Sequence, residues 1–380
     1  MAPPEVDETG VPMAVEAAVR RLRQDVQDFW SPLHRIPRMD ASELSPLRFH
    51  REFVSRSVPV VITNAMESPQ WRHAREQWQS DAYLVQKAGD APVTVDVTPF
   101  GLGDVVLELD GHPEAIFVMP EERQMTMEGF LQVFRDREGF DGVPYLSHQN
   151  DSLRDEFPEL YEDVPAFLEL GKEAFGNDPD AVNIWIGDER AVSSMHKDHY
   201  ENLYCVVTGQ KHFTLLPPAD VACLYEREYP SNRYRHEHSP PPADEHSHNV
   251  VDLVATRRFH DRYPQHASWR IHSSPDTGDT PWIPVDPLKI DSAKFPLAAL
   301  LNPIEIVVNA GEVLYLPAMW YHRAAQLCPT ISVNYWHDME FDCRYVYFNL
   351  AHELGAIAAT AATTSSSHHP QEVQEEDDTN

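Results

Sequence analysis

The stretch from Ser193 to Pro218 constrains the fold more than any other part of the chain. Two β-runs, Asn202–Val207 and Lys211–Leu216, stand either side of Thr208-Gly209-Gln210. That spacing predicts a hairpin with glycine in its loop. Just before it comes His196-Lys197-Asp198. Side chains alternate faces along a strand, so residues 196 and 198 can aim at one point. An imidazole and a carboxylate, joined by a distant second imidazole, form the facial set that holds non-haem Fe(II) and leaves positions open. The distant candidate is His322, in Leu316-Pro-Ala-Met-Trp-Tyr-His322.

The second half of the chain is strand-rich. Val182–Ile186 is a compact β-run, Ile304–Val308 and Glu312–Leu316 repeat the strand–turn–strand pattern around Asn309-Ala-Gly311, and Thr330–Trp336 is another strand. Short strands joined by tight glycine turns predict a barrel or jelly roll with a cavity, hence a mainly β fold with flanking helices. Ahead of it, Val15, Val19, Leu22, Val26, Phe29 and Trp30 give helical spacing from Met13 to Trp30 with one buried face. Ser45-Pro46 opens a short helix carrying Phe49 and Phe53, and Trp71 and Trp78 are core residues. Val58–Thr63, Val93–Val97 and Ala115–Val118 read as strands, Gly101-Leu-Gly103 as a turn, and Tyr145 as the opening of a strand. Thr126 caps a helix with Met127, Phe130, Leu131 and Phe134. Near the end, Tyr347, Leu350, Leu354 and Ile357 share one face of a helix from Phe341 to Ile357, to be covered by the N-terminal half or by another subunit.

The expected division is residues 1–140 for N-terminal helices and buttressing strands, 141–350 for the catalytic core, and 351–380 for the end of the last helix and an acidic tail. A mobile surface insertion is expected at 219–280, where Ser239-Pro-Pro-Pro242 and seven histidines (His236, His238, His246, His248, His260, His266, His272) break the pattern. Their spacing is too irregular for a metal-binding tract to be the leading reading. Residues 1–12 and 361–380 lack the apolar content to fold.

A net charge of −31 repels a phosphate backbone and disfavours direct nucleic-acid binding. It would attract basic partners such as a lysine-rich peptide, although charge balance by itself favours solubility alone. Four cysteines with no CxxC spacing indicate reduced thiols, and Cys205 in its apolar run is inert rather than nucleophilic. No apolar run reaches membrane-spanning length and the first residues do not form a secretory signal, so the expected location is the cytoplasm, the nucleus or both.

Three protein ligands leave Fe(II) three positions. A 2-oxo acid can take two through its keto and carboxylate oxygens, leaving one for O2. The far carboxylate of 2-oxoglutarate then needs a buried cation, and Lys211 lies across the turn from the His-x-Asp pair. Zn(II) hydrolysis is the rival chemistry, but no HExxH helix and no adjacent general base are present. His199 is expected near the entrance or hydrogen-bonded, and Lys197 and His212 are expected to point away from the ligand face.

Six runs carry a family resemblance: Asp180-Ala-Val-Asn183; Ser194–Val207; Gly209 with Lys211-His-Phe213; Trp282-Ile-Pro-x-Asp-Pro287; Ala310-Gly-Glu-x-Leu-Tyr-Leu-Pro-Ala318; and Val333-Asn-x-Trp-x-Asp-Met-Glu340. Over about residues 45 to 350 the chain resembles Jumonji-C (JmjC) oxygenases of the small hydroxylase branch, and within it the lysyl (3S)-hydroxylases. The resemblance implies a double-stranded β-helix with His196, Asp198 and His322 on iron. It puts Lys211 on the far carboxylate of 2-oxoglutarate, helped by Tyr145 and by Ser193, where the branch more often has threonine. Asn202, Tyr204, Asn334 and Trp336 are implied to line the cosubstrate pocket. The implied reaction decarboxylates 2-oxoglutarate and hydroxylates a C–H bond of a protein lysine, in translation-associated GTPases of the developmentally regulated GTP-binding class or in a basic histone tail. Lysine demethylation, histone-tail endopeptidase activity and a non-catalytic cupin-like binding module are the alternatives. Relatives carry a cysteine where this chain has Val60 or Val61, so their inter-subunit disulfide is not expected; a homodimer through the C-terminal helix is.

Overall fold

Two sheets face each other around the chain's polar centre in a computed structural model that describes residues 13–29, 35–136, 138–239, 250–273 and 278–366. Their strands are β1 (Val60–Thr63), β2 (Ala181–Gly187), β3 (Val192–His196), β4 (Tyr200–Thr208), β5 (Gln210–Leu216), β6 (Ile304–Asn309), β7 (Val313–Leu316), β8 (Tyr321–Gln326) and β9 (Thr330–Asp338). One sheet runs β1-β7-β4-β9-β2, with Arg38–Asp40 on its β1 edge; the other runs β6-β5-β8-β3, with Leu102–Gly103 on its β3 edge. From β2 to β9 every connection crosses between sheets except the long one from β5 to β6. This is a jelly roll, as the run of short strands predicts.

The crossing corrects the two predicted hairpins. β4 and β5 do not pair: β4 bonds to β7 and β9, β5 to β6 and β8. Asn309-Ala-Gly311 likewise links β6 to β7 across the sandwich. A glycine corner between sheets and a glycine hairpin within one share the same local signature, and only the partners of each strand separate them. Gly209 has φ +78°, and a Cβ there would stand 2.4 Å from the Pro329 carbonyl oxygen and from Thr330 Oγ1. Thr330 Oγ1 in turn accepts from Gln210 N–H and donates to the Gln210 carbonyl, both at 3.1 Å. Gly209→Val is therefore expected to destabilise the fold by about 2 kcal/mol or more, through steric clash and a left-handed backbone, as read by urea unfolding.

Alternation along these strands divides apolar residues between two cores. The inner faces contribute Tyr204, Val206, Phe213, Leu215, Leu314 and Leu316 to the barrel interior. The outer face of the first sheet, including Leu203, Val207, Tyr315 and Tyr335, packs on the N-terminal helices through Phe49, Trp71, Trp78 and Phe130. Each such fully buried side chain contributes roughly 1.5–3 kcal/mol. The helices begin where the sequence signals: Ser45, Ser68, Ser80 and Thr126 each cap a helix through the side-chain oxygen. Leu102–Gly103, read as turn residues, instead pair in parallel with β3, and Tyr145 closes the strand Val143–Tyr145 rather than opening one.

The insertion reading is corrected most. Arg227–His236 is a ten-residue strand pairing with Ile116–Met119, Trp269–Ser273 and Asp279–Trp282. Tyr234, Phe259, Trp269 and Ile271 are wholly buried in the core shared with the N-terminal residues. Charge obscured this strand: Arg233 reaches the Pro120 carbonyl and Glu122, and His236 reaches Asp141 at 3.0 Å. His260 bonds the Trp269 carbonyl at 2.6 Å. Residues 240–249 and 274–277, with His246 and His248, lie outside the described residues. Strands from either side of the expected boundary at 140 share both barrel sheets.

The first helix spans Met13–Phe29 and buries Val19, while Leu22 stays exposed; Trp30 lies outside the described residues. The last helix, Cys343–Ser366, runs past the expected end at 357; the rest of the tail and residues 1–12 lie outside the described residues. The face named from sequence is not covered within the chain: Tyr347, Leu350, Leu354 and Ile357 are 49–67 % exposed. Phe348 and Ala351, on another side, pack against Val221, Ala222 and their neighbours. No helix among the described residues is long and apolar enough to cross a membrane.

Candidate active site

β3 and β8 lie side by side with His196 opposite His322, their ring centroids 4.1 Å apart. Asp198 sits just past the end of β3, its backbone carbonyl accepting from Met319 N–H at 2.9 Å. Convergence thus comes from a bend stitched to the β7–β8 loop, not from strand alternation alone. One ligand atom from each of His196, Asp198 and His322 lies within 4.8 Å of the others, the one such His/Cys/Asp/Glu group among the described residues. His322 Nε2 is 3.5 Å from Asp198 Oδ2.

The backbone selects the imidazole tautomers. His196 Nδ1 lies 2.7 Å from the Ser194 carbonyl and His322 Nδ1 3.0 Å from the Trp320 carbonyl. A carbonyl accepts only from N–H, so both Nε2 lone pairs are left for a metal. Burial, then the neighbouring His196, lowers His322 to about 4, which keeps it in the neutral form a ligand requires. The Trp282 indole stacks on His196 at 5.9 Å and 7°, and its Nε1–H donates to Ser194 Oγ at 2.9 Å.

Deeper in the barrel, Lys211 is 2 % exposed. Its ammonium donates to Tyr204 Oη at 2.5 Å and Tyr145 Oη at 3.0 Å, with the Tyr145, Trp185 and Tyr204 rings around it. No carboxylate pairs with it among the described residues, and burial lowers it to about 7. A buried ammonium without an anion is costly, so the site suits an anionic group that arrives from outside. Burial holds the Tyr145 and Tyr204 hydroxyls protonated, leaving both able to donate.

Around this point the polar inner face of the first sheet is connected. Trp185 Nε1 donates to Asn334 Oδ1 at 2.8 Å, and Asn334 Nδ2 to Asn202 Oδ1 at 3.3 Å. Trp336 is stacked under Tyr200 at 4.9 Å. Ser193 sits opposite Ala324 of β8. A cavity of about 340 Å³ opens from His196, Ser193, Tyr145, Trp185 and Trp282. Asp198, His322, Lys211, Asn202, Tyr204, Asn334 and Trp336 do not line it. Trp336 Nε1 is buried without a hydrogen-bond partner, and Ser332 and Gln326 have none beyond the Tyr204 and Tyr145 hydroxyls, so the inner wall carries polar atoms that a polar occupant can satisfy. The residues present fit both a facial-triad metal and a dicarboxylate.

Three features of the site were missed in the sequence. Trp185 and Gln326 follow from alternation, since 322, 324 and 326 share a face of β8. The wall of the cavity also carries Asp96, Asp104 and Glu122, which come from segments far in sequence from the His-x-Asp pair. Burial raises Asp96 to about 7 and Asp104 to about 6. Lys197 turns away to Glu226 at 2.6 Å, His212 lies 3.9 Å from Glu305, and His199 stacks on Phe341. Cys205 is wholly buried, and burial raises its thiol.

A family model described as a cupin-like domain matches residues 46–343. The human bifunctional peptidase and (3S)-lysyl hydroxylase JMJD7 is 35% identical, over 89% of this chain and 97% of its own. JmjC domain-containing protein E of Dictyostelium discoideum is 36% identical, over 88% and 92%. Lysine-specific demethylase JMJ32 of Arabidopsis thaliana is 35% identical, also over 88% and 92%.

Proposed function

This chain belongs to the cupin-like JmjC family, and from that premise we propose that it is an Fe(II)- and 2-oxoglutarate-dependent protein hydroxylase that acts on a lysine. The observation that carries the reading is Lys211, an ammonium buried without an anion in the same barrel as three converging ligand atoms. His196, Asp198 and His322 hold the metal. Lys211 holds the far carboxylate of 2-oxoglutarate, with Tyr145 and Ser193 beside it and Asn202, Tyr204, Asn334 and Trp336 forming the wall behind. Bound there, Fe(II) supplies the redox chemistry that couples loss of carbon dioxide from the 2-oxo acid to transfer of one oxygen atom from O2 into a C–H bond.

The chain's own residues do the positioning. The Ser194 and Trp320 carbonyls fix both imidazoles as ligands. Trp282 walls the cavity beside His196, and Trp185 beside Lys211, with flat apolar surface. Asp96, Asp104 and Glu122 line the cavity with carboxyl groups, suited to the ammonium of a substrate lysine. Asp104→Asn is accordingly expected to weaken use of a lysine peptide by about tenfold or more, one charge-assisted hydrogen bond, mainly through KM. Peptide-independent consumption of 2-oxoglutarate should stay near wild type. Equal loss of both rates would make Asp104 a structural residue instead.

Mass spectrometry of lysine-containing peptides after incubation with Fe(II), ascorbate and 2-oxoglutarate tests the assignment. A gain of about 16 mass units supports hydroxylation. A loss of about 14 from methylated peptides would replace it with demethylation, and fragments would replace it with peptidase activity, the activities named for two of the relatives.

Translation-associated GTPases and basic histone tails are the substrates to try first. The free cysteines favour the cytoplasm or nucleus. The exposed face of the last helix supports a homodimer. Leu350→Asp with Leu354→Asp is expected to halve the particle mass seen by light scattering; an unchanged mass would remove the helix from the interface.

A further inference from the structure

Gln326 has polar chemistry that the structure leaves unused. It lies on β8 directly opposite Lys211 of β5, four residues beyond His322 and so on the same inner face. Only 3 % of it is exposed, and apart from a contact with the Tyr145 hydroxyl its Oε1 and Nε2 have no hydrogen-bond partner. A buried primary amide normally finds partners, because water has been removed from both its donor and its acceptor.

Nor is the amide loosely held. The β2 backbone passes so close at Gly187 that a Cβ there would stand 2.5 Å from Gln326 Nε2 and 2.6 Å from the Tyr145 ring. Glycine at 187 is what lets the amide and the ring lie against the strand. The side chain is thus fixed beside the Tyr145–Lys211 pair with most of its hydrogen-bonding capacity unused.

Lys211 has a matching deficit. An ammonium carries three N–H groups, and its two recorded bonds go to the tyrosine hydroxyls. A carboxylate entering here has two oxygens to offer two neighbouring donors.

We propose that Gln326 is a cosubstrate-binding residue: its Nε2–H donates to one oxygen of the far carboxylate of 2-oxoglutarate while Lys211 donates to the other. This rests on the 2-oxoglutarate reading above. The pairing adds direction to what a lysine alone supplies as a point charge. It also ties recognition of the far carboxylate to β8, the strand that carries His322 at its other end.

The test uses Gln326→Met, similar in size and without donors, and Gln326→Glu, which sets a negative charge against the carboxylate. Binding is measured calorimetrically on full-length protein loaded with Mn(II), without O2, so that no turnover enters. Gln326→Met should weaken 2-oxoglutarate binding by about tenfold, and Gln326→Glu by more. Oxalate, which chelates a metal but has no far end, should bind all three proteins equally. The metal-free Gln326→Met protein should unfold at the same temperature as wild type or higher, because an under-bonded buried amide has been removed.

Wild-type affinity for 2-oxoglutarate in Gln326→Met overturns the proposal, as does an equal weakening for oxalate, which would place the effect at the metal. Failure of the wild-type, metal-loaded protein to bind 2-oxoglutarate overturns the underlying functional reading, a result distinct from either of these.

Discussion

Alanine at His196 is expected to lower 2-oxoglutarate turnover by about a thousandfold or more, a loss of at least about 4 kcal/mol of barrier lowering, while the protein stays folded. His196 and His322 face each other across β3 and β8, and each is committed through Nδ1 to a backbone carbonyl, so each offers one Nε2. Removing one leaves two donors, and a two-donor site neither holds the metal nor fixes which positions stay open. The fold should tolerate the change because His196 is only partly buried and touches Trp282 by stacking alone on one face. Mn(II) binding followed by electron paramagnetic resonance, beside an assay of 2-oxoglutarate consumption, checks both halves. His212→Ala is the control, because that ring lies near Glu305 on the other face of β5. Turnover within tenfold of wild type in the His196 variant would remove the residue from the metal site.

The sequence announced this centre because its residues obey short-range rules. His196, Asp198 and Lys211 sit within one strand–loop–strand stretch, and the strands around them show the alternation that a two-sided sheet imposes. What it did not announce was partnership. Gly209 terminates β4 in the same way whether the next strand pairs beside it or crosses to the opposite sheet, so the corner looked like a hairpin. Arg227–His236 carries charges that are satisfied by Glu121, Glu122 and Asp141, all from an earlier part of the chain, so a central strand looked like an exposed insertion. Asp96 and Asp104 reach the cavity from the N-terminal strands, more than ninety residues before His196 in Asp104's case, and no local pattern links them to it. Gln326 was in principle within reach, since it alternates with His322, but a glutamine draws no attention until its amide is found buried and under-bonded.

Lys211→Met is expected to have two opposite effects, a more stable metal-free protein and a large loss of 2-oxoglutarate binding. Burial lowers the Lys211 ammonium from 10.5 to about 7, a shift equivalent to roughly 5 kcal/mol against the charged form. The sign follows from linkage. Below pH 7 the folded and unfolded chains both carry the proton, and the burial cost is felt in full. Between 7 and 10.5 the unfolded chain holds a proton that the folded one has released, so wild-type stability rises with pH across that window. Methionine, of similar length and without charge, escapes the cost, so its advantage in unfolding midpoint should be largest at or below pH 7 and fade towards pH 10. The dianionic cosubstrate reverses the balance, because its carboxylate is the counter-ion that the pocket lacks. Binding to wild type above pH 7 should therefore draw a proton onto Lys211, seen as a buffer-dependent calorimetric enthalpy, and affinity should fall as pH rises from 7. The Met variant should show neither proton uptake nor that slope from this group. A variant that is less stable than wild type at pH 7 yet binds 2-oxoglutarate normally would show that the lysine serves the fold and not the ligand.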